Sequence, residues 1–389
     1  MNSFIEIVAD YLNKRQTTVS PNTDWDKIID TADKHELTAL LYYQCKGSIP
    51  TQYLAKLEQA NRSALFYYFN RAKEEQQIRK SMEEEGIRCF TIKGSAIAAF
   101  YPHPYLRSMG DSDFVIDASN MDDAHKIMLQ GGYSCISVGE YLKKRMMVEI
   151  HRYLADMIQI NTVRVVEFFN SYWDYFHDGQ LDWSFHFLYL LFHLRSHLIG
   201  SGVGLRQFAD TAVLTKYNQD LNWPWIKAKL IELDMWNFAQ KVFALNSYWF
   251  QIKPPIESED AEEIFLSLAT EQILKNGVFG FADKNNRANR ILMDNRMKGH
   301  SPITIMLKRA IASVFPKYKF MIRMPQYAFL KGKPYFLPVA WIYRGFYTIK
   351  NRGFARAKAV LETSFTTQEA IDERKALFEK WGLRDSEMQ

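Results

Sequence analysis

Three acidic side chains in the first half of the chain lie in strand-like runs whose alternation could bring carboxylates together. Asp111 and Asp113 lie in the run DSDFVID, and Glu149 lies in the later run RMMVEIHRY. Alternate side chains of a strand share a face, so the two aspartates project to one side and Ser112 to the other. Two like charges this close raise the free energy of the fold unless a cation separates them, and oxygen ligands suit Mg²⁺ or Mn²⁺. The pattern predicts a metal site formed by Asp111, Asp113 and Glu149.

A Gly-Ser pair before these acids has the character of a phosphate-binding turn. Gly94 and Ser95 begin the segment GSAIAAFYP, which is typical of a turn leading into a short helix. The first N–H groups of a helix have no intrahelical partner and lie at the positive end of its dipole, which suits phosphate. The neighbouring Lys93 has two interpretations, contact with phosphate or exposure to solvent at a strand end.

The elements that must position these residues form an α+β pattern. Residues before Gly86 have helical periodicity, and helical segments return after about residue 180. Between them the order is β-α-β-α-β-β, with Gly139 joining the last two strands. The strand-like runs occupy 88–92, 111–117, 133–138 and 145–153. We expect a mixed β-sheet core with helices, flanked by N- and C-terminal helical regions.

Four regions are predicted from these changes of pattern. They are an N-terminal helical region at 1–85, an α/β core at 86–180, a helical domain at 181–300 and a basic, aromatic C-terminal region at 301–389.

The composition is typical of a globular protein of a reducing compartment. The 389 residues are 47% hydrophobic and 24% charged, which excludes disordered and collagen-like chains. Three widely spaced cysteines do not form a disulfide framework. The most apolar stretch, 185–194, is about half as long as a membrane-spanning helix, and the N-terminus lacks the basic start of a signal peptide. We therefore expect a cytoplasmic protein without a transmembrane segment.

The C-terminal region has an unusual charge. Residues 301–360 contain twelve Lys or Arg and no Asp or Glu, so the other 329 residues of this +5 chain carry a net charge of −7. Twelve aromatic residues are interleaved with these cations. Such a region suits contact with nucleic acid or another polyanion, or with an anionic membrane surface. Alternatively, the aromatic rings pack on the acidic remainder while the cations extend into water, which the prolines of this region favour.

A family resemblance rests on the motifs around the acidic residues. The run KGSAIAAFYPHPYLRSMGDSDFVID, followed by VEIH, resembles the nucleotidyltransferase superfamily typified by DNA polymerase beta. It is more narrowly similar to an uncharacterised bacterial nucleotidyltransferase family in which Tyr-Pro, Arg and Gly-Asp precede the acid pair. The matching residues here are Tyr101-Pro102, Arg107 and Gly110-Asp111, and the later run HLRSHLIGSGVGLRQFAD resembles the helical segment that follows the core.

The resemblance implies an enzyme that moves a nucleoside monophosphate from a triphosphate such as ATP to an acceptor hydroxyl and releases pyrophosphate. It implies two divalent ions held by Asp111, Asp113 and Glu149, and phosphates bound over Gly94 and Ser95. The acceptor is left open among small molecules, glycans, proteins and RNA. The alternative is a catalytically inactive module of the same fold that binds nucleotide, nucleic acid or another polyanion.

Several other residues keep two interpretations. Arg107 reaches the triphosphate or anchors its loop. Arg206 faces the nucleotide according to the resemblance, whereas its spacing from Asp210 is typical of an ion pair within a helix. His151 shares a strand face with Glu149, as a ligand or as a packing residue. The spacing of His193 and His197 is that of a zinc pair, but no Glu follows His193 as a zinc protease requires.

Overall fold

The structure is a computed structural model that describes residues 3–155, 163–177, 179–199, 202–278, 315–322, 325–330, 332–352, 376 and 378–383. The chain divides into two compact units, Met1–Asp283 and Lys284–Gln389. The finer division into four regions stays a prediction.

Four helices precede the sheet of the first unit. They are α1 (Ser3–Leu12), α2 (Trp25–Lys34), α3 (Thr38–Cys45) and α4 (Thr51–Glu84). Asp24 caps α2 by accepting a hydrogen bond from the N–H of Lys27 at 3.1 Å, which satisfies one of the free donors of the first turn. Gly86 follows α4 with a φ of +71°, a conformation that suits glycine and reverses the chain into the sheet.

The sheet has five strands and mixed polarity, which confirms the predicted α+β class. Its strands are β1 (Cys89–Ile92), β2 (Asp111–Ile116), β3 (Ser134–Ser137), β4 (Glu140–Lys143) and β5 (Met146–His151), in the spatial order β1-β2-β5-β4-β3. β2 and β5 are parallel, and the other pairs are antiparallel. The short helix α5 (Gly94–Ile97) follows β1, and α6 (Met121–Gln130) connects β2 to β3.

The predicted connection of the last two strands is wrong in one respect. Gly139, with a φ of +83°, joins β3 to β4, and a second turn at Lys144 then joins β4 to β5. The sequence EYLK of β4 has one buried residue, Tyr141, between partly exposed neighbours. A four-residue strand with so little burial has almost no alternating pattern, so the sequence did not reveal it.

The two faces of the sheet have different partners. Phe114, Ile116, Val148 and Ile150 are buried in one apolar cluster with residues of α4 and α6. Alternation along β2 and β5 therefore turns Asp111, Asp113 and Glu149 to the opposite face, as the sequence predicts.

Helices cover that second face. After α7 (Val163–Asn170) and a small hairpin of β6 (Phe176–His177) and β7 (Gln180–Leu181), the chain forms α8 (Trp183–Ile199), α9 (Leu205–Tyr217), α10 (Trp223–Glu232), α11 (Trp236–Phe250) and α12 (Glu263–Asn276). α8 is apolar on nearly every side because it is buried on nearly every side. Among the helices that the structure describes, none has the length and apolarity needed to cross a bilayer.

The second unit contains α13 (Tyr318–Met321) and α14 (Leu337–Arg352). Some of its aromatic residues contact each other within the unit: the rings of Phe315 and Trp341 lie 5.0 Å apart, and the indole N–H of Trp341 donates to the carbonyl of Pro316 at 3.0 Å. Residues 301–314 and 353–360 of the basic region lie outside the described residues. Contact of this region with a polyanion stays a prediction.

Candidate active site

The three predicted acids line a single cavity of about 250 Å³ in the first unit. The register of the parallel pair places Asp113 directly opposite Glu149, and Asp111 begins the same strand as Asp113. A second wall is formed by Lys93, which lies between β1 and α5, and by Gly94, the first residue of α5. Helices α8 and α9 complete the cavity with His193, His197, Arg206, Gln207 and Asp210.

Asp113 is the most buried acid of the cavity. Its Oδ1 atom accepts hydrogen bonds from Nζ of Lys93 at 2.8 Å and from Nε2 of His151 at 2.7 Å. Burial alone would raise the pKa of this carboxyl, but the charge of Lys93 and the bond from His151 outweigh it and hold the pKa well below its usual range. Asp113 is therefore ionised at any physiological pH.

Lys93 is not a solvent-exposed strand-end lysine, so that interpretation is wrong. The side chain is only 14% exposed, and although partial burial lowers the pKa of its amine, the neighbouring carboxylate of Asp113 outweighs this and raises that pKa. The backbone has a φ of +52°, which strains a residue with a side chain and is typical of functional turns. Its N–H donates to Nε2 of His186 at 3.0 Å, so α8 fixes this turn.

The contact with His186 makes the fold sensitive to acid. Burial lowers the pKa of His186 to about 4, and the unprotonated Nε2 of the neutral ring accepts the Lys93 N–H. The unfolded chain, with a pKa of about 6.5, binds the proton more readily, so stability falls as the pH drops from about 6.5 towards 4, by up to about 1.4 kcal/mol per pH unit. His186→Gln keeps a hydrogen-bond acceptor that does not titrate. We expect it to reduce the slope of the free energy of unfolding against pH by the equivalent of about one bound proton, or up to about 1.4 kcal/mol per pH unit.

Urea unfolding between about pH 7 and pH 5 would measure that slope. His177→Gln is the matched control, because His177 is exposed on β6. An identical slope for wild type and His186→Gln would contradict the assignment.

Glu149 completes the acidic group. Its Oε2 lies 3.5 Å from Nε2 of His151. Burial, and then the negative charge of Asp113, raise the pKa of this carboxyl. A cation between the two carboxylates would remove that repulsion, so the pair is suited to an added positive ion.

Arg107 anchors its loop and also lines the cavity. Its Nε and Nη2 atoms donate to the two carboxylate oxygens of Asp210 at 3.0 and 2.7 Å, and the hydroxyl of Tyr101 donates to the same carboxylate at 2.7 Å. Burial disfavours the guanidinium charge, but Asp210 outweighs this and raises the pKa of Arg107. The motif Tyr-Pro…Arg is therefore tied to α9 by one buried, bidentate ion pair.

The predicted ion pair of Arg206 with Asp210 is wrong. Arg206 instead donates to the carbonyl of Ser108 at 2.9 Å and approaches Glu36 at 3.3 Å, while it lines the same cavity. Arg206 and Asp210 are one helical turn apart, which would allow an ion pair. Arg107 instead binds the Asp210 carboxylate with two parallel hydrogen bonds, a stronger arrangement than a single contact from the same helix.

Gly94 lets the guanidinium of Arg107 lie against the backbone. A Cβ atom at this position would overlap Nη1 of Arg107. The guanidinium cannot easily move aside, because it is hydrogen-bonded to Asp210. We expect Gly94→Ala to lower the free energy of unfolding by about 1–3 kcal/mol, since overpacking of a filled site has this effect. Denaturant unfolding measures the change, and Gly47→Ala is the control, because a Cβ there meets nothing within 4 Å. Equal losses in both variants would contradict the contact.

Ser95 directs its side chain away from the cavity. Its hydroxyl donates to Glu75 on α4, which also accepts the hydroxyl of Ser112. Arg71, also buried, donates to Ser112 at 2.7 Å and so supports β2 from behind. Sequence reasoning missed Arg71 and Glu75, because an Arg and a Glu four residues apart on a long helix are typical of a solvated surface.

His193 and His197 line the cavity with ring centres 4.3 Å apart. Burial keeps both imidazoles neutral, lowering the pKa of His197 to about 4 and that of His193 well below its usual value. Within the described ranges, the residues whose donor atoms converge on one point are instead Asp113, Glu149 and His151, all within 4.8 Å of one another.

Comparison with known proteins gives one family. The family described as "Uncharacterised nucleotidyltransferase" matches residues 21–251, which is more than half of the chain and includes every residue discussed at the cavity. No curated protein and no solved structure matches the chain.

Proposed function

The chain belongs to the family of uncharacterised nucleotidyltransferases, and on this premise we propose that it transfers a nucleoside monophosphate from a nucleoside triphosphate to an acceptor hydroxyl with the help of Mg²⁺ or Mn²⁺. One observation carries the proposal. Asp113 and Glu149 face each other in register and share a cavity with Asp111, Lys93 and Arg107.

The charges of the cavity support a metal-dependent reaction. Its walls contain four carboxylates, those of Asp111, Asp113, Glu149 and Asp210, and three cations, those of Lys93, Arg107 and Arg206. A nucleoside triphosphate adds roughly four negative charges, and bound metal ions usually neutralise them. Without added cations the phosphates would meet walls that are already negative.

The acidic residues would hold the metal. Donor atoms of Asp113, Glu149 and His151 converge within 4.8 Å, and the oxygen-rich donor set fits a divalent ion. When bound, such ions stabilise the entering and leaving oxygens of an in-line displacement. Glu149, a carboxylate on the wall of the same cavity, is suited to take the proton of the acceptor hydroxyl.

The opposite wall would hold the phosphates. The guanidinium of Arg107 already lies against the backbone of Gly94, so Lys93, Arg107 and Arg206 would meet the phosphates at this wall with positive charge. Ser95 would contribute its backbone N–H alone, because its hydroxyl is bound to Glu75.

The size of the cavity limits what it encloses. At about 250 Å³ it is smaller than the roughly 300–1,000 Å³ of most small-molecule pockets. It suits the triphosphate and its ions, with the base and the acceptor bound outside it. The acceptor class therefore stays open among small molecules, glycans, proteins and RNA.

Thermal unfolding tests the proposal before the acceptor is known. We expect a non-hydrolysable triphosphate with Mg²⁺ or Mn²⁺ to stabilise the full chain, by about 2.7 kcal/mol at a ligand concentration of 100 Kd, and much less without metal. Stabilisation by a single-stranded oligonucleotide and not by the triphosphate would instead support an inactive binding module.

A further inference from the structure

His151 lies where a metal ligand would lie. Its position in β5 is opposite Val115, two residues beyond the pairing of Asp113 with Glu149. The imidazole nevertheless reaches back to both carboxylates, with Nε2 2.7 Å from Asp113 and 3.5 Å from Glu149. A histidine that only oriented Asp113 would need to touch that carboxylate alone.

The separations of these atoms fit a shared ion. In octahedral coordination with bonds of about 2.1 Å, neighbouring ligand atoms are roughly 3 Å apart. The two measured separations from Nε2, 2.7 and 3.5 Å, lie on either side of that value. After small side-chain adjustments, Nε2 of His151 and the carboxylates of Asp113 and Glu149 could therefore coordinate the same ion.

The hydrogen bonds that Asp113 accepts support the same conclusion. Its Oδ1 atom accepts from two donors at once, the amine of Lys93 and Nε2 of His151. Both donors are cationic or dipolar groups directed at the point where a cation would sit. A metal ion would replace the two hydrogen bonds. Nε2 would give up its proton, either to water or through the tautomer that carries the proton on Nδ1, and its lone pair would then be directed at the ion.

We propose that Nε2 of His151 is a direct ligand of the catalytic ion and that this site selects Mn²⁺ over Mg²⁺. Imidazole nitrogen binds first-row transition metals, whereas Mg²⁺ prefers an all-oxygen shell, so a nitrogen donor discriminates between the two ions. The inference rests on the proposed function and specifies Mn²⁺ as the metal ion of that reaction.

Pulsed EPR of the Mn²⁺-loaded full chain tests the ligand directly. Wild type is expected to give ¹⁴N modulation from a coordinated imidazole, which changes to the ¹⁵N pattern in protein labelled with ¹⁵N-histidine. His151→Gln is expected to lose the modulation, and His177→Gln, the exposed control on β6, to keep it.

Calorimetric titration tests the selectivity. His151→Gln is expected to weaken Mn²⁺ binding about ten- to hundredfold, as loss of a well-oriented metal-site residue does, and to change Mg²⁺ binding by less than about threefold. If His151→Gln does not fold, His193→Gln and His197→Gln take its place, because both of these other histidines line the cavity. The modulation is expected to persist in both, and its loss in either overturns the assignment.

Two outcomes overturn the inference. One is Mn²⁺ bound without histidine coupling, and the other is coupling that persists in His151→Gln. Either outcome accompanied by metal-dependent triphosphate binding leaves the proposed function standing. If neither Mn²⁺ nor Mg²⁺ binds, with or without triphosphate, both proposals fail.

Discussion

Asp113→Asn is expected to lower nucleotidyl transfer by at least about 10³-fold, because a lost metal ligand removes several kcal/mol of transition-state stabilisation. Asparagine keeps the shape of the side chain but removes the charge that Lys93 and His151 both contact. Pyrophosphate release from a nucleoside triphosphate, measured with saturating metal, gives the change. Asp122→Asn is the matched control, since Asp122 is exposed in the first turn of α6.

The same substitution also affects stability, and this must be separated from catalysis. Asp113→Asn leaves the buried amine of Lys93 without its counter-ion, and breaking a buried pair in this way destabilises a fold by about 3–5 kcal/mol. The double variant Lys93→Met with Asp113→Asn removes both charges, so we expect it to recover most of the stability and none of the transfer. Transfer that returns in the double variant would show that Asp113 acts through folding alone.

The sequence was sufficient for the local geometry of the acids. Alternation along β2 and β5 turned Asp111, Asp113 and Glu149 to one face, as expected, because strand periodicity depends only on the backbone. The resemblance also identified Gly94, Arg107 and Arg206, which all line the cavity. Strand alternation and the family motif were therefore enough to predict which of these residues lie at the cavity.

Partners that are distant along the chain could not be predicted. Arg107 pairs with Asp210, 103 residues away, and Lys93 contacts His186, 93 residues away. These contacts depend on how α8 and α9 pack over the sheet, which no local pattern specifies. Side-chain direction in the short helix α5 was equally undetermined, so the hydroxyl of Ser95 was not expected to bind Glu75 behind the sheet.

Lys93→Met is expected to change metal binding and transfer in opposite directions. The amine of Lys93 occupies the same Asp113 oxygen that a metal ion would use, so its removal ends a competition. We expect Mn²⁺ to bind about tenfold more tightly, equivalent to roughly 1.4 kcal/mol. Transfer is nevertheless expected to fall about 10²-fold, because a positioned positive charge beside the developing phosphate charge is lost.

Metal titration by calorimetry and pyrophosphate release under saturating Mn²⁺ measure the two effects independently. Lys126→Met is the matched control, because Lys126 pairs with Asp123 on the exposed surface of α6 and should change neither quantity. A parallel loss of metal affinity and transfer would mean that Lys93 only supports the fold of the site. Tighter metal binding combined with slower transfer is the result expected of a lysine that releases Asp113 to the metal ion and contacts phosphate during the reaction.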